Sequence, residues 1–146
     1  MPTLARDNRY RLKTHEIEVI EKMRKKQVRN VLIIGDLHEP FCLDLYLDWC
    51  LEQYHLYRCT DVIFIGDVID NHYSSYHETD SDGMGGADEL ELSIKRIARW
   101  YKAFPEAKVI IGNHDRMIMR KAQTSAIPSK WIKSYKEVLE VPKGTN

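Results

Sequence analysis

The sequence contains no long apolar run. No segment approaches the roughly 20 consecutive apolar residues that a membrane-spanning helix needs, so we expect no membrane partner. Residues 1–13 are polar and basic and lack the apolar core of a secretory signal. Cysteine is also sparse, and Cys42, Cys50 and Cys59 form no Cys-x-x-Cys pair. These absences predict reduced thiols and a cytoplasmic location, and they argue against a disulfide scaffold or a cysteine-bound zinc site.

The chain also has no net charge, but its charged residues are segregated. The 146 residues include 22 basic and 22 acidic side chains. Apolar residues make up 43% of the chain, which is ordinary for one globular domain spanning 1–146. Residues 31–91 nevertheless contain 14 acidic residues and a single basic one, Arg58. Such a block is either a solvated surface or a place where cations bind.

Three short β-branched runs alternate with helical patterns along the chain. The runs occupy residues 31–34, 62–65 and 109–111. The helical patterns occupy 14–27, 43–56, 88–104 and 129–139. This alternation predicts an α/β fold with parallel strands, and the lack of polar residues within the runs predicts that helices cover both faces of the sheet. Residues 71–87 have no apolar period, so we expect a long loop there, on the side of the candidate active site.

Each β-branched run is followed by a glycine and a polar cluster. The clusters are Gly35-Asp36-Leu37-His38, Gly66-Asp67-Val68-Ile69-Asp70 and Gly112-Asn113-His114-Asp115. Because the carboxyl ends of parallel strands meet at one edge of a sheet, we expect these polar side chains to converge. Carboxylates that lie close together repel one another unless cations are present, and a mixture of carboxylate, imidazole and amide suits manganese, iron or zinc. The sequence therefore predicts a divalent metal site at this edge.

In this order, the three clusters resemble the signature blocks of the calcineurin-like metallophosphoesterases, in a phage or bacterial variant. The resemblance covers roughly residues 29–116. It implies the family's αββα sandwich, in which helices flank two β-sheets. It also implies that Asp36 and His38 bind a first metal ion. Asp67 would bridge this ion to a second one, which Asn113 would also bind.

The resemblance further implies a metal-dependent phosphoesterase, in which a hydroxide held between two divalent ions hydrolyses a phosphomonoester or a phosphodiester. Manganese is the first expectation for the metal, with iron, zinc or nickel as alternatives. His114 would face the scissile phosphate, Asp115 would orient His114, and Asp70 would be a supporting acid. His72 is a candidate for substrate contact, with a solvated loop side chain as the alternative. The substrate would be a phosphate ester, including a nucleotide or a nucleic acid.

The sequence departs from the family pattern after the third cluster. Relatives carry a later lone histidine and a Gly-His-x-His block, whereas no histidine follows His114 here. We therefore expect the chain to be the N-terminal part of such a domain, with a C-terminal half supplying the remaining histidine ligands; a natural short form, whose site a partner or water completes, is the other explanation. The alternative is a non-catalytic fragment or subunit that keeps the fold as a metal- or partner-binding module. A dinucleotide-binding domain is disfavoured because no Gly-x-Gly-x-x-Gly follows the first run.

Overall fold

The computed structural model describes residues 12–25 and 29–143, which form a mixed α/β structure. Its sheet has three parallel strands in the order β1-β2-β3. The strands are β1 (Val31–Ile34), β2 (Asp61–Phe64) and β3 (Lys108–Val109). The α/β class and the parallel pairing are therefore confirmed. The first strand matches its predicted bounds, the second begins one residue early, and the third is shorter than predicted.

Helices and short 3-10 turns connect and follow the strands. The helices in the described ranges are α1 (Thr14–Lys25), α2 (Tyr46–Leu56), α3 (Gly86–Ala103), α4 (Met117–Thr124) and α5 (Tyr135–Val138). The 3-10 turns are His72–Ser74, inside the predicted loop, and Ser129–Trp131. None of these helices is long and apolar enough to cross a membrane.

The C-terminal region differs from its predicted form. Helix α4 has no counterpart in the sequence interpretation, and the single helix predicted over 129–139 is a 3-10 turn followed by α5. Ser134 explains the break, because its side chain accepts a hydrogen bond from the Glu137 N–H while Glu137 accepts one from the Ser134 N–H. This capping box starts a new helix at Tyr135.

Helices α2 and α3 pack on the same face of the sheet. The buried core joins Ile34 and Phe64 from the strands to Cys50 of α2 and to Trp100 of α3. The Trp100 and Phe64 rings meet edge to face with their centroids 5.7 Å apart. Burial of these large apolar side chains is the main stabilising contribution to the described structure.

A buried carboxylate links α3 to the loop after β1. Glu39, directly after the first polar cluster, is 0% exposed. Arg96 Nε donates to its Oε2 over 2.6 Å, and both Arg99 Nη2 and Trp100 Nε1 donate to its Oε1 over 3.0 Å. A buried charge is tolerated only when it is paired and hydrogen-bonded in this way. The network therefore fixes the chain just beyond the first cluster against α3.

The other face of the sheet is exposed among the described residues. Val31, Ile33, Ile65 and Ile110 are all exposed, with Ile33 at 62%. The prediction that helices cover both faces was therefore wrong for this part of the chain. The reason is that α2 and α3 lie on one side, whereas the buried side chain of α1, Ile20, is not part of the main core.

The three cysteines are unpaired, as predicted. Burial raises the pKa of both Cys42 and Cys50 to about 11. Since the thiolate is the reactive form, these two buried side chains behave as small apolar core residues at neutral pH.

Two neighbouring residues of β1 provide a test of the one-sided sheet. Ile34 is 1% exposed and Ile33 is 62% exposed. We expect Ile34→Ala to lower the free energy of unfolding by about 2–5 kcal/mol, because it opens a cavity in the core. Ile33→Ala should cost less than about 1 kcal/mol. Urea unfolding followed by circular dichroism measures both, and equal losses would contradict the exposed face.

Candidate metal centre

A close approach of two glycines brings the second and third clusters together. Gly66 follows β2 with φ +108°, and a Cβ there would lie 2.6 Å from the Cα of Gly112. A Cβ on Gly112 would overlap the carboxylate and the backbone nitrogen of Asp67. Only glycine fits at both positions. The resulting proximity lets the His114 N–H donate to Asp67 Oδ1 over 2.9 Å.

The first and second clusters are joined by continued parallel pairing beyond the strands. The His38 N–H donates to the carbonyl of Asp67 over 2.9 Å, and the Glu39 N–H donates to that of Val68 over 3.0 Å. In the opposite direction, the Asp70 N–H donates to the carbonyl of Glu39 over 3.0 Å. The two loops therefore run side by side, and all three clusters lie at one edge of the sheet, as the sequence predicts.

Four of the seven non-glycine residues with positive φ in the described part of the chain lie at this edge. Asp36, His38, Asp67 and Asn71 adopt the left-handed region, with φ of 53°, 47°, 51° and 52°. This conformation costs a non-glycine residue on the order of 1–3 kcal/mol, although Asp, Asn and His tolerate it better than other residues. Backbone strain of this kind persists where the surrounding structure imposes it, typically at functional sites.

Two overlapping groups of three side chains could hold a metal ion. One consists of Asp36, His38 and Asp67, and the other of His38, Asp70 and His114. Within each group the potential ligand atoms lie within 4.8 Å of one another. His38 Nε2 lies 3.8 Å from Asp36 Oδ1. Three carboxylates that repel one another and two imidazoles make a donor set that a divalent cation stabilises.

Asp70 orients both imidazoles. His38 Nδ1 lies 2.6 Å from Asp70 Oδ1, and His114 Nδ1 lies 2.6 Å from the Asp70 carbonyl oxygen. Because a carboxylate and a carbonyl oxygen accept hydrogen bonds, each Nδ1 donates and each Nε2 is left for another partner. The rings meet edge to face with their centroids 4.6 Å apart. A carboxylate behind an imidazole is the usual support for a metal-binding histidine.

Asp115 has different contacts from those that the resemblance implies. Its buried carboxylate binds three backbone N–H groups and one hydroxyl. The donors are Val68 N (3.0 Å), Ile69 N (3.3 Å), Gly112 N (2.8 Å) and Tyr135 Oη (2.7 Å). Asp115 therefore fixes the backbone between the second and third clusters, whereas Asp70 is the partner of the His114 ring.

The remaining predicted residues lie around this centre. Asn113 is exposed and lies between Gly112, whose N–H donates to Asp115, and His114, whose N–H donates to Asp67. His72 belongs to neither group of potential ligands, and its N–H donates to Glu89 Oε1 over 2.8 Å. The structure therefore brings Asp36, His38, Asp67, Asp70 and His114 together, with Asn113 beside them in the chain.

Three residues that support the site are not among the predicted site residues. Asn71 Nδ2 donates to the carbonyl of His114 over 2.9 Å. Glu89, which is buried in the first turn of α3, accepts the N–H groups of His72 and Tyr73. Tyr135 supports Asp115. Only Asn71, directly after the second cluster, carried a signal in the sequence; Glu89 resembles an ordinary acidic residue at a helix start.

Comparison of the chain with protein-family models, with curated proteins and with solved structures finds no match. The assignment to the calcineurin-like metallophosphoesterases therefore stays a prediction from the three clusters.

Gly112→Ala tests the contact between the clusters. The new methyl group would displace the Asp67 carboxylate, so we expect at least about tenfold weaker Mn²⁺ binding and a loss of about 1–3 kcal/mol in the free energy of unfolding. Calorimetric titration with Mn²⁺ and urea unfolding measure the two effects. Gly85→Ala is the control, because a Cβ there meets its nearest neighbour at 3.6 Å. Unchanged Mn²⁺ affinity in Gly112→Ala would argue against this geometry.

Tyr135→Phe tests the support of Asp115. Burial, and then the negative charge of Asp115, raise the pKa of Tyr135, so its hydroxyl stays a donor at neutral pH. Removing this charge-assisted bond should cost about 1.5–3 kcal/mol of stability. Tyr101→Phe, which removes a neutral bond of 3.2 Å to the Leu139 carbonyl, should cost about 0.5–1.5 kcal/mol. The reverse order in thermal or urea unfolding would count against the role of Asp115.

Proposed function

We propose that the chain is a metal-dependent phosphoesterase of the calcineurin-like type and that its three-stranded sheet is one of the two sheets of an αββα sandwich. The observation that carries the proposal is the convergence of three strand-end clusters through strained backbone at one edge. Asp36, His38 and Asp67 come from two of these loops, and His114 comes from the third. This order and placement of carboxylates and imidazoles are expected of a site that binds metal and phosphate.

The residues present fit divalent metal ions. Asp36, His38 and Asp67 would hold a first ion, and Asp67 with Asn113 would hold a second. A donor set of carboxylates, imidazole and amide suits manganese first, with iron, zinc or nickel as alternatives. The bound ions would supply charge stabilisation for the phosphoryl oxygens and activation of water.

His114 would act on the phosphate ester itself. Its Nδ1–H is donated to the Asp70 carbonyl, so Nε2 is the atom that would face the phosphate oxygens. A proton on Nε2 would then donate to the leaving oxygen. The Asp70 carboxylate also lies beside the ring, with its Oδ1 3.7 Å from Nδ1. In this role His114 would donate the proton, and Asp70 would fix the orientation of the ring.

A second function is a metal-binding module without catalysis. The observation that favours it is the small number of side chains in each ligand group, three in both cases. A C-terminal half that supplied further histidines would complete the donor set and favour the enzyme instead. Metal titration and hydrolysis, measured on the same protein, distinguish the two functions.

Asp67→Asn is the sharpest test of the enzyme. We expect Mn²⁺-dependent hydrolysis of bis(p-nitrophenyl) phosphate to fall by about 10²–10³-fold, because the loss of one carboxylate weakens the hold on both ions. Asp48→Asn, at an exposed position in the first turn of α2, is the matched control and should leave the rate unchanged. Mn²⁺ binding by the unaltered chain without any hydrolysis would favour the module, and full activity of Asp67→Asn would refute the bridging role.

A further inference from the structure

The segment after the third cluster is strongly basic. Residues 116–136 contain six basic residues and no acidic ones, in contrast to the acidic residues 31–91. The basic residues are Arg116, Arg120, Lys121, Lys130, Lys133 and Lys136. The metal centre needs none of these side chains, and a run of one sign is an electrostatic footprint for an anionic partner.

Helix α4 places part of this charge beside the metal centre. The Met117 N–H donates to the carbonyl of His114 over 3.1 Å, so the helix begins directly at the third cluster. Helix α4 also packs against both 3-10 turns, His72–Ser74 and Ser129–Trp131. An anionic chain lying along α4 would therefore reach the cluster that contains His114.

Aromatic rings accompany the basic side chains. Arg120 Cζ lies 5.3 Å from the centre of the Tyr76 ring, and Lys121 Nζ lies 5.4 Å from it. Lys121 Nζ also donates to the Ser75 carbonyl over 3.3 Å. These contacts hold two cations against the loop after the second cluster, which lowers the cost of ordering them when a ligand binds.

The two 3-10 turns that α4 packs against carry exposed rings, Tyr73 in the first and Trp131 in the second, and Tyr76 follows the first turn. Tyr73 is 61% exposed, Tyr76 is 55% exposed and Trp131 is 84% exposed. A tryptophan so open to solvent contributes little to packing in the described structure. Arginine and lysine interleaved with exposed aromatic rings are typical of surfaces that bind unpaired nucleotides, since bases stack on the rings while phosphates meet the cations.

We propose that this surface binds single-stranded nucleic acid and presents a phosphodiester to the metal centre. The basic-aromatic surface consists of Tyr73, Tyr76, Arg120, Lys121, Lys130 and Trp131. The inference rests on the proposed function and names its substrate class. A duplex keeps its bases stacked away from such rings, and an acidic peptide offers charge without flat rings to stack. Single strands are therefore the anionic polymer that uses both features.

Fluorescence anisotropy with fluorescein-labelled dT12, in EDTA so that no cleavage occurs, tests the surface directly. Trp131→Ala should weaken binding by about fivefold or more through lost stacking. Arg120→Gln with Lys121→Gln should reduce the slope of log Kd against log salt by about 1.4, since each neutralised phosphate of a single strand contributes about 0.7. The control pair Lys95→Gln with Lys102→Gln removes two exposed charges from α3 and should leave the slope unchanged.

Comparison ligands decide whether the surface is specific for single strands. Weaker binding of blunt duplex DNA, polyglutamate and anionic phospholipid vesicles would support the proposal. Equal binding of any of them, or no binding of dT12, would overturn it. Hydrolysis of bis(p-nitrophenyl) phosphate by the unaltered chain is measured separately. Its absence alongside intact dT12 binding would contradict the proposed function but support the surface, whereas hydrolysis without dT12 binding would overturn only the surface.

Discussion

The contact between Gly66 and Gly112 is the constraint on which the candidate centre depends. Neither position has room for a Cβ: the backbone of Gly112 fills the space beside Gly66, and the backbone and carboxylate of Asp67 fill the space beside Gly112. This approach allows His114 and Asp115 to bond with the second cluster. The two glycines therefore allow the side chains of separate strand ends to contact one another. The cost is the larger conformational entropy that glycine loses when the chain folds.

Helix α3 supports the centre from two positions along its length. Glu89, in its first turn, holds the backbone of His72 and Tyr73, which follow the second cluster. Arg96 and Trp100, two to three turns later, hold the buried Glu39 that follows the first cluster. A single rigid element thus fixes both loops, and the placement of the loops follows the packing of this helix against the sheet.

The sequence predicted the strands and their convergence because these features are local. A β-branched run followed by glycine defines a strand end, and parallel pairing then places Asp36, His38 and Asp67 at one edge. The contacts of Asp115 could not be predicted, because they depend on which backbone N–H groups a neighbouring loop leaves unpaired. The exposure of Ile33 was not predicted for a similar reason. An apolar run indicates that its side chains can be buried, but it does not indicate whether a helix covers them.

Dyes that brighten on apolar surface, such as ANS, would bind the face of the sheet that is exposed among the described residues. Such dyes are normally used to recognise compact, partly unfolded forms. Here Ile33, Ile65 and Ile110 expose β-branched side chains on one side of an intact sheet. Bright dye fluorescence would then indicate the folded chain, and the fluorescence would fall when the chain unfolds. In the usual assay, bright fluorescence indicates a partly unfolded form instead.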